Sequence, residues 1–286
     1  KRGKEFVGLS PFQNEKTPSF TVNNEKQFYH CFSSNKHGDI FTFLVDVEGL
    51  SFPQAVEQLA EQAGVELRAL TKDEEKRISG RKKLYSIMEM ANDFFMNNLL
   101  SDNRALGYLN ERGINKEVIS EYKIGYAKDS FSSLHKYLLD KGILNEDILL
   151  AGLIIKSEKK KNNYYDRYRD RIIFPITNTY GKIVGFGGRV INEDDKPKYM
   201  NSPETEIFHK GNLLYNYSNI KSPLKEIENL VVVEGYMDAI SLCSQGFKNV
   251  VAPLGTAMTE RQLNLIWDLV DSPIICFDGD KAGIKA

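Results

Sequence analysis

The feature that most constrains this chain lies between residues 230 and 277. Three short apolar runs, at Leu230 to Val233, Asn249 to Ala252 and Pro273 to Phe277, alternate with helical patterns at Tyr236 to Gln245 and Thr259 to Val270. Strands separated by helices need crossover connections rather than hairpins, and right-handed crossovers build a parallel sheet. Sites in such sheets form where the strands end at their C-termini. Two of these ends carry carboxylates, Glu234 after the first run and Asp278 with Asp280 after the third, and Asp238 lies one helical turn beyond Glu234. A single Asp after a strand is most often a helix cap; acidic groups at both strand ends are harder to explain that way. Four converging carboxylates repel one another unless divalent cations neutralise them. Oxygen ligands beside phosphate chemistry favour Mg²⁺ or Mn²⁺.

Upstream, the pattern divides into further units. Residues 1–68 show strand-like runs at Glu5 to Leu9, Ser19 to Val22 and Gln27 to Phe32, followed by helices at Gly38 to Glu48 and after an N-cap at Ser51. The charged residues 69–83 read as a linker. Residues 84–228 open with amphipathic helices to about Glu121 and contain a hairpin, Arg171 to Val190, turning at residues 177–181. Residues 229–286 form the parallel unit. The expected architecture is α+β to α/β: a small antiparallel domain, a mixed domain and a parallel-sheet subdomain. Cys243, Cys276 and Trp267 (with Leu263 and Val270) are expected in cores, His135 and His209 in structural or substrate-adjacent positions, and Lys159 to Lys161 in a solvated loop.

Net charge is −1, so a nucleic-acid surface has to be local. Basic residues do concentrate at 156–171 and 182–210. Arg167, Arg169 and Arg171 alternate with Tyr168 and Asp170; on an extended strand the three guanidiniums share a face, suited to phosphates beside stacked bases. The competing explanation is a charged, solvated edge strand. No run approaches the roughly 20 apolar residues of a membrane helix, and three widely spaced cysteines suit a reducing cytoplasm.

Two strings, Val233-Glu234-Gly235-Tyr236-Met237-Asp238 and Phe277-Asp278-Gly279-Asp280-Lys281-Ala282-Gly283, resemble the leading motifs of the Toprim domain in its bacterial primase form. Toprim domains also occur in topoisomerases and nucleases, so these strings alone leave the choice open. Four further stretches resemble successive motifs of the primase polymerase domain: Tyr165 to Pro175, Gly185 to Arg189, Lys196 to Thr205 and Phe208 to Gly211. The resemblance implies that Arg112, Arg167, Arg169, Arg171, Arg189, Lys198, Asn201 and Lys210 hold template or nucleotide, with Ser202 on the same turn. It implies Glu234, Asp278 and Asp280 as catalytic groups, with Asp238 joining them as metal ligands. The implied activity is synthesis of short RNA primers from ribonucleoside triphosphates on single-stranded DNA. Implied partners are the template, the RNA primer and the replicative helicase, the last through a C-terminal region outside this sequence. A further acidic pair is expected beyond Ala286, leaving the metal site here incomplete.

The first unit resembles the primase zinc-binding domain through Leu9 to Phe20, Tyr29 to Phe32 and Gly38 to Ile40. That family places Cys, His, Cys and Cys where this chain has Ser10, Gln13, Cys31 and Ser34. Zinc sites of this kind take four Cys or His ligands, so the ribbon is expected to fold without Zn²⁺ around Phe12, Phe20, Phe28, Phe32 and Phe41. Two alternatives stand beside a primase: a Toprim topoisomerase or nuclease, and a non-catalytic single-stranded-DNA-binding module.

Overall fold

The computed structural model describes residues 3, 5–68, 70–157, 163–192, 194–220, 229–255 and 258–279. Asp280 and Lys159 to Lys161 therefore lie outside the described residues. The chain forms two compact units, residues 1–72 and 73–286.

In the first unit, β1 (Glu5–Gly8), β2 (Phe20–Asn23), β3 (Phe28–Cys31) and β4 (Lys36–Gly38) form an antiparallel sheet in sequence order. Helices α1 (Ile40–Glu48) and α2 (Phe52–Ala63) follow. Asp39 caps α1 by accepting from the Thr42 amide and hydroxyl, both at 2.8 Å, and the Gln54 carboxamide accepts from the Ser51 amide at 2.9 Å. The core is a cluster of Phe12, Phe20, Tyr29 and Phe43, with ring centroids 5.5–6.3 Å apart. Phe32, expected in this core, is 69% exposed. Tyr29 and Cys31 point inward, so strand alternation turns Phe32 to the other face.

The second unit opens with one continuous helix, α3 (Lys72–Leu100). From Lys72 onward, the expected linker 69–83 is therefore helical. Its inward-facing apolar residues begin only at Leu84, followed by Ile87, Met88, Ala91, Phe95 and Leu99. The preceding turns are held by helix-compatible charges, with Asp73, Glu74 and Glu75 favourably placed at the positive N-terminus. The short elements α4 (Asn103–Glu111), α5 (Lys116–Glu121), β5 (Gly125–Ala127), α6 (Ser133–Asp140), α7 (Asn145–Leu150), β6 (Ile154–Lys156) and β7 (Tyr164–Asp166) come next.

The expected hairpin is β8 (Arg171–Thr177) with β9 (Ile183–Val190). Asn178 organises its turn, its side-chain oxygen accepting from the Tyr180 and Lys182 amides at 3.0 Å each. With β10 (Tyr199–Asn201) these strands complete an antiparallel sheet ordered β10-β9-β8-β5. Its central strands are buried along both faces.

A second sheet contains β11 (Leu214–Tyr215), β12 (Val231–Val233), β13 (Val250–Pro253) and β14 (Ile274–Cys276), in the order β11-β13-β12-β14. Strand β12 is parallel to both β13 and β14, with α8 (Tyr236–Ser244) and α9 (Glu260–Trp267) as crossovers. The antiparallel β11 was not foreseen; its two residues are too few to show a period. Two core assignments are corrected. Trp267 is 56% exposed, because α9 buries Gln262, Leu265 and Ile266 instead. Cys276 is exposed on β14, which among the described residues pairs with β12 alone. No described helix is long and apolar enough to cross a membrane.

Candidate functional site

The parallel pairing of Val233 with Cys276 brings the ends of β12 and β14 side by side. Glu234 follows the first end, and its Oε1 accepts from the Asp278 amide beyond the second at 3.1 Å. Asp238 sits in the first turn of α8, where Oδ2 accepts from the Gly235 amide at 3.1 Å. It therefore does the work of a helix cap as well as facing the cleft. Asp238 is solvent-exposed at the cleft mouth. Its pKa is still raised, first by loss of solvation against the cleft walls and then by the neighbouring Asp278.

Glu234, Asp238 and Asp278 line one cavity of about 520 Å³ together with Arg189, Lys198 and Asn201. Six residues chosen from separate stretches of sequence thus meet in one place. Asn201 donates through Nδ2 to the Leu254 carbonyl at 3.4 Å, while its Oδ1 is buried without a partner. Among the described residues no three carboxylate, imidazole or thiol groups stand close enough to ligate a single ion. The carboxylates that line the cavity offer only oxygen donors, the type a hard divalent cation takes, but as they stand they do not form a closed three-ligand site.

Arg189 enters this cavity from β9, opposite Tyr199 on β10. Its guanidinium lies 4.8 Å from the Tyr199 ring centroid, and Nε donates to the Tyr108 hydroxyl. Arg112, at the end of α4, stacks on the other side of this arrangement, 4.8 Å from the Tyr108 ring centroid. Neither tyrosine was singled out from the sequence. The only available signal was the spacing of Tyr108 and Arg112, which places them on one helix face.

The three arginines at 167–171 do not share one strand. Strand β7 ends at Asp166, the chain bends through Asp170 at φ 48°, and β8 begins at Arg171. Even so, all three line a second cavity of about 310 Å³ with Lys196, Asp129, Asp170 and Asp195. Arg167 donates from Nε to the Gly152 carbonyl at 2.8 Å, and Arg171 to the Pro197 carbonyl at 2.8 Å. Arg169 lies 4.8 Å from the Phe131 ring centroid. Asp170 is gripped by Arg104 and by the Tyr126 hydroxyl, the latter at 2.7 Å. Tyr168, expected beside the arginines for base stacking, is buried, with its hydroxyl donating to the Phe186 carbonyl at 2.9 Å.

Two other expected contributors lie elsewhere. Ser202 is buried and accepts from the Phe186 amide at 2.9 Å, so it serves the sheet. Lys210 stands on a short 3-10 turn outside the lining of both cavities, with its amide donating to Glu204 and its carbonyl accepting from Gln262. His209 contacts Glu204, and His135 contacts Asn145.

In the first unit, Cys31 is buried, with its sulfur 3.1 Å from the Ser10 hydroxyl, 3.3 Å from that of Ser33 and 3.8 Å from that of Ser19. Burial opposes ionisation of this thiol, but the surrounding Ser10, Ser33 and Ser34 hydroxyls outweigh it and lower its pKa to about 6. Glu15 fastens the same loop, accepting from the Ser10 amide at 2.7 Å and from the Ser19 hydroxyl at 2.6 Å. One thiol among hydroxyls does not fit a tetrahedral zinc site.

Comparison with known proteins gives three successive family matches. Residues 1–75 match the CHC2 zinc finger, residues 94–221 the N-terminal domain of the DNA primase catalytic core, and residues 231–286 a Toprim-like family. The chain is 42% identical over its whole length to a DNA primase of Pseudomonas putida, covering 44% of that protein, and 43% identical to one of Deinococcus radiodurans. It thus spans less than half the length of these curated relatives. Among solved structures, the zinc-binding and RNA polymerase domains of Aquifex aeolicus primase align with the entire chain and 68% of that chain, at 36% identity and a TM-score of 0.65. A DnaG primase catalytic domain bound to single-stranded DNA aligns with 73% of this chain and 67% of its own, at 37% identity and a TM-score of 0.66.

Proposed function

Because the chain belongs to the bacterial DNA primase family, we propose that it carries the RNA-polymerising site of a primase, joining ribonucleotides on a single-stranded DNA template. The observation that carries this reading is the single cavity shared by Glu234, Asp238, Asp278, Arg189, Lys198 and Asn201. In the reaction, the primer 3′-oxygen bonds to the α-phosphorus of an incoming ribonucleoside triphosphate. The bond from that phosphorus to the β-phosphate bridging oxygen breaks, pyrophosphate leaves, and the hydroxyl proton passes to solvent or to a carboxylate such as Glu234.

Such chemistry depends on alignment and charge neutralisation more than on covalent participation by the protein. Arg189 and Lys198 suit the triphosphate, and the Asn201 carboxamide suits a hydroxyl or base edge near it. A bound Mg²⁺ or Mn²⁺ would supply further neutralisation of the phosphates, held by Glu234, Asp238 and Asp278 with Asp280. The cavity of Arg167, Arg169, Arg171 and Lys196 is separate and suits the phosphates of the template strand. Arg112, joined to Arg189 through Tyr108, is assigned to the nucleotide side, and Lys210, on its flanking turn outside both cavities, to template or nucleotide.

The ribbon unit is proposed to hold its fold without zinc, through its aromatic core and the Glu15 contacts. The setting is the bacterial cytoplasm, with a replicative helicase as partner through a region outside residues 1–286. The test supplies the protein with single-stranded DNA, ribonucleotides and Mg²⁺. Short RNA supports a primase. Cut or relaxed DNA would instead indicate a Toprim topoisomerase or nuclease, and binding without product a non-catalytic module.

A further inference from the structure

Arg189 lines the polymerase cleft from β9, Arg112 stands at the end of α4, and a single tyrosine joins the two. Tyr108 receives the Nε–H of Arg189 on its hydroxyl and the guanidinium of Arg112 over its ring at 4.8 Å. On its far side Arg189 is held against the Tyr199 ring, which in turn meets Tyr236 edge-on at 5.5 Å. The result is a column, Arg112–Tyr108–Arg189–Tyr199–Tyr236, that runs from α4 to the first residue of α8, two positions after Glu234.

Arg189 is only 6% exposed. A guanidinium so buried needs hydrogen-bond partners, and its plane decides where its remaining donors point. With Nε engaged by Tyr108 and one face covered by Tyr199, the two terminal nitrogens have no partner among the described residues and are available to a ligand in the cavity that Arg189 lines with the carboxylates. Forked donation from fixed terminal nitrogens is the geometry that phosphate oxygens accept best.

We propose that Tyr108 is a positioning residue for nucleotide binding: it fixes the Arg189 guanidinium in the cleft and seats Arg112 beside it. This rests on the nucleotide-binding reading of the cleft given above. Tyr108 touches no reacting atom in this scheme and acts through the two arginines.

The test measures Mg²⁺–ATP affinity of the full chain by fluorescence anisotropy with a labelled nucleotide, for wild type, Tyr108→Phe, Arg189→Gln and the double variant. Tyr108→Phe keeps the ring under Arg112 and removes only the acceptor, so a weakening of about 3- to 10-fold is expected, the scale of one hydrogen bond. In the Arg189→Gln background the same change should have no further effect, because the group being positioned is gone. A structural role would instead give equal losses in both backgrounds, and that result would overturn the proposal, as would unchanged affinity in Tyr108→Phe. Tyr108→Leu provides the second variant; it also removes the Arg112 stack and should bind more weakly than Tyr108→Phe, and equal binding by the two would overturn the part assigned to Arg112. A wild-type chain that binds no nucleotide would sink the function itself, a failure distinct from that of Tyr108.

Discussion

Adding one methyl group at Gly187 should damage both stability and the cleft. Gly187 lies on the buried strand β9, and a Cβ built there would meet the Tyr236 ring at 2.7 and 2.8 Å and its hydroxyl at 3.0 Å. The ring cannot easily retreat, since Phe174, Tyr199 and Tyr215 enclose it with centroids 4.8, 5.5 and 5.7 Å away. Overpacking a closed core of this kind costs about 1–3 kcal/mol. For a domain of roughly 200 residues each kcal/mol lowers the melting temperature by about 2–4 °C, so Gly187→Ala should melt about 2–12 °C below wild type. Tyr236 opens α8 directly after Glu234 and Gly235, so its displacement should also reduce primer synthesis in the surviving folded protein. Gly107→Ala is the matched control. It makes the same chemical change inside α4, where nothing lies within 4 Å, and helix propensity predicts a gain of about 0.5–1 kcal/mol. Melting is followed by circular dichroism at 222 nm. A Gly187→Ala protein melting at or above wild type would refute the claim that β9 and α8 touch this closely.

Three other outcomes are expected. Ser202→Ala should lose about 1–3 kcal/mol in urea denaturation, because the buried Phe186 amide loses its acceptor. At pH 7 without divalent cations, Asp238→Asn should melt at or above wild type while abolishing primer synthesis. The raised Asp238 pKa means that the wild-type fold is favoured by protonation, a contribution complete below the usual value of 3.8 and lost as pH rises through the raised one. The variant's advantage should therefore shrink on acidification, and melting curves across that window check it. Metal analysis of the purified chain should find no tightly held zinc, whereas the triple variant Ser10→Cys, Gln13→His, Ser34→Cys should take up one ion per chain and melt higher with it.

The acidic strand ends were legible in sequence because a parallel sheet turns a linear alternation into adjacency: once β12 and β14 pair, Glu234 and Asp278 have to meet. The basic groups were legible as types but not as places. Arg167, Arg169 and Arg171 share a cavity, as alternation suggested, yet they reach it by a bend at Asp170 rather than along a strand. Tyr168, adjacent to them, went to the core, and Ser202 became a sheet support. Charge density likewise suggested a linker where a helix begins, because helices without a buried stripe leave little periodic signal.

The sequence alone determined the parallel character of the last sheet and the placing of Glu234 and Asp278 at adjacent strand ends. These are set by local pattern and by residue chemistry, which a linear string preserves. Tertiary structure alone decided that Arg189, Lys198 and Asn201 share a cleft with the carboxylates, that Tyr108 joins two distant arginines, and that Gly187 is the space Tyr236 needs. Those contacts link residues tens of positions apart. They depend on how one sheet packs against another, and no spacing along the chain encodes that distance.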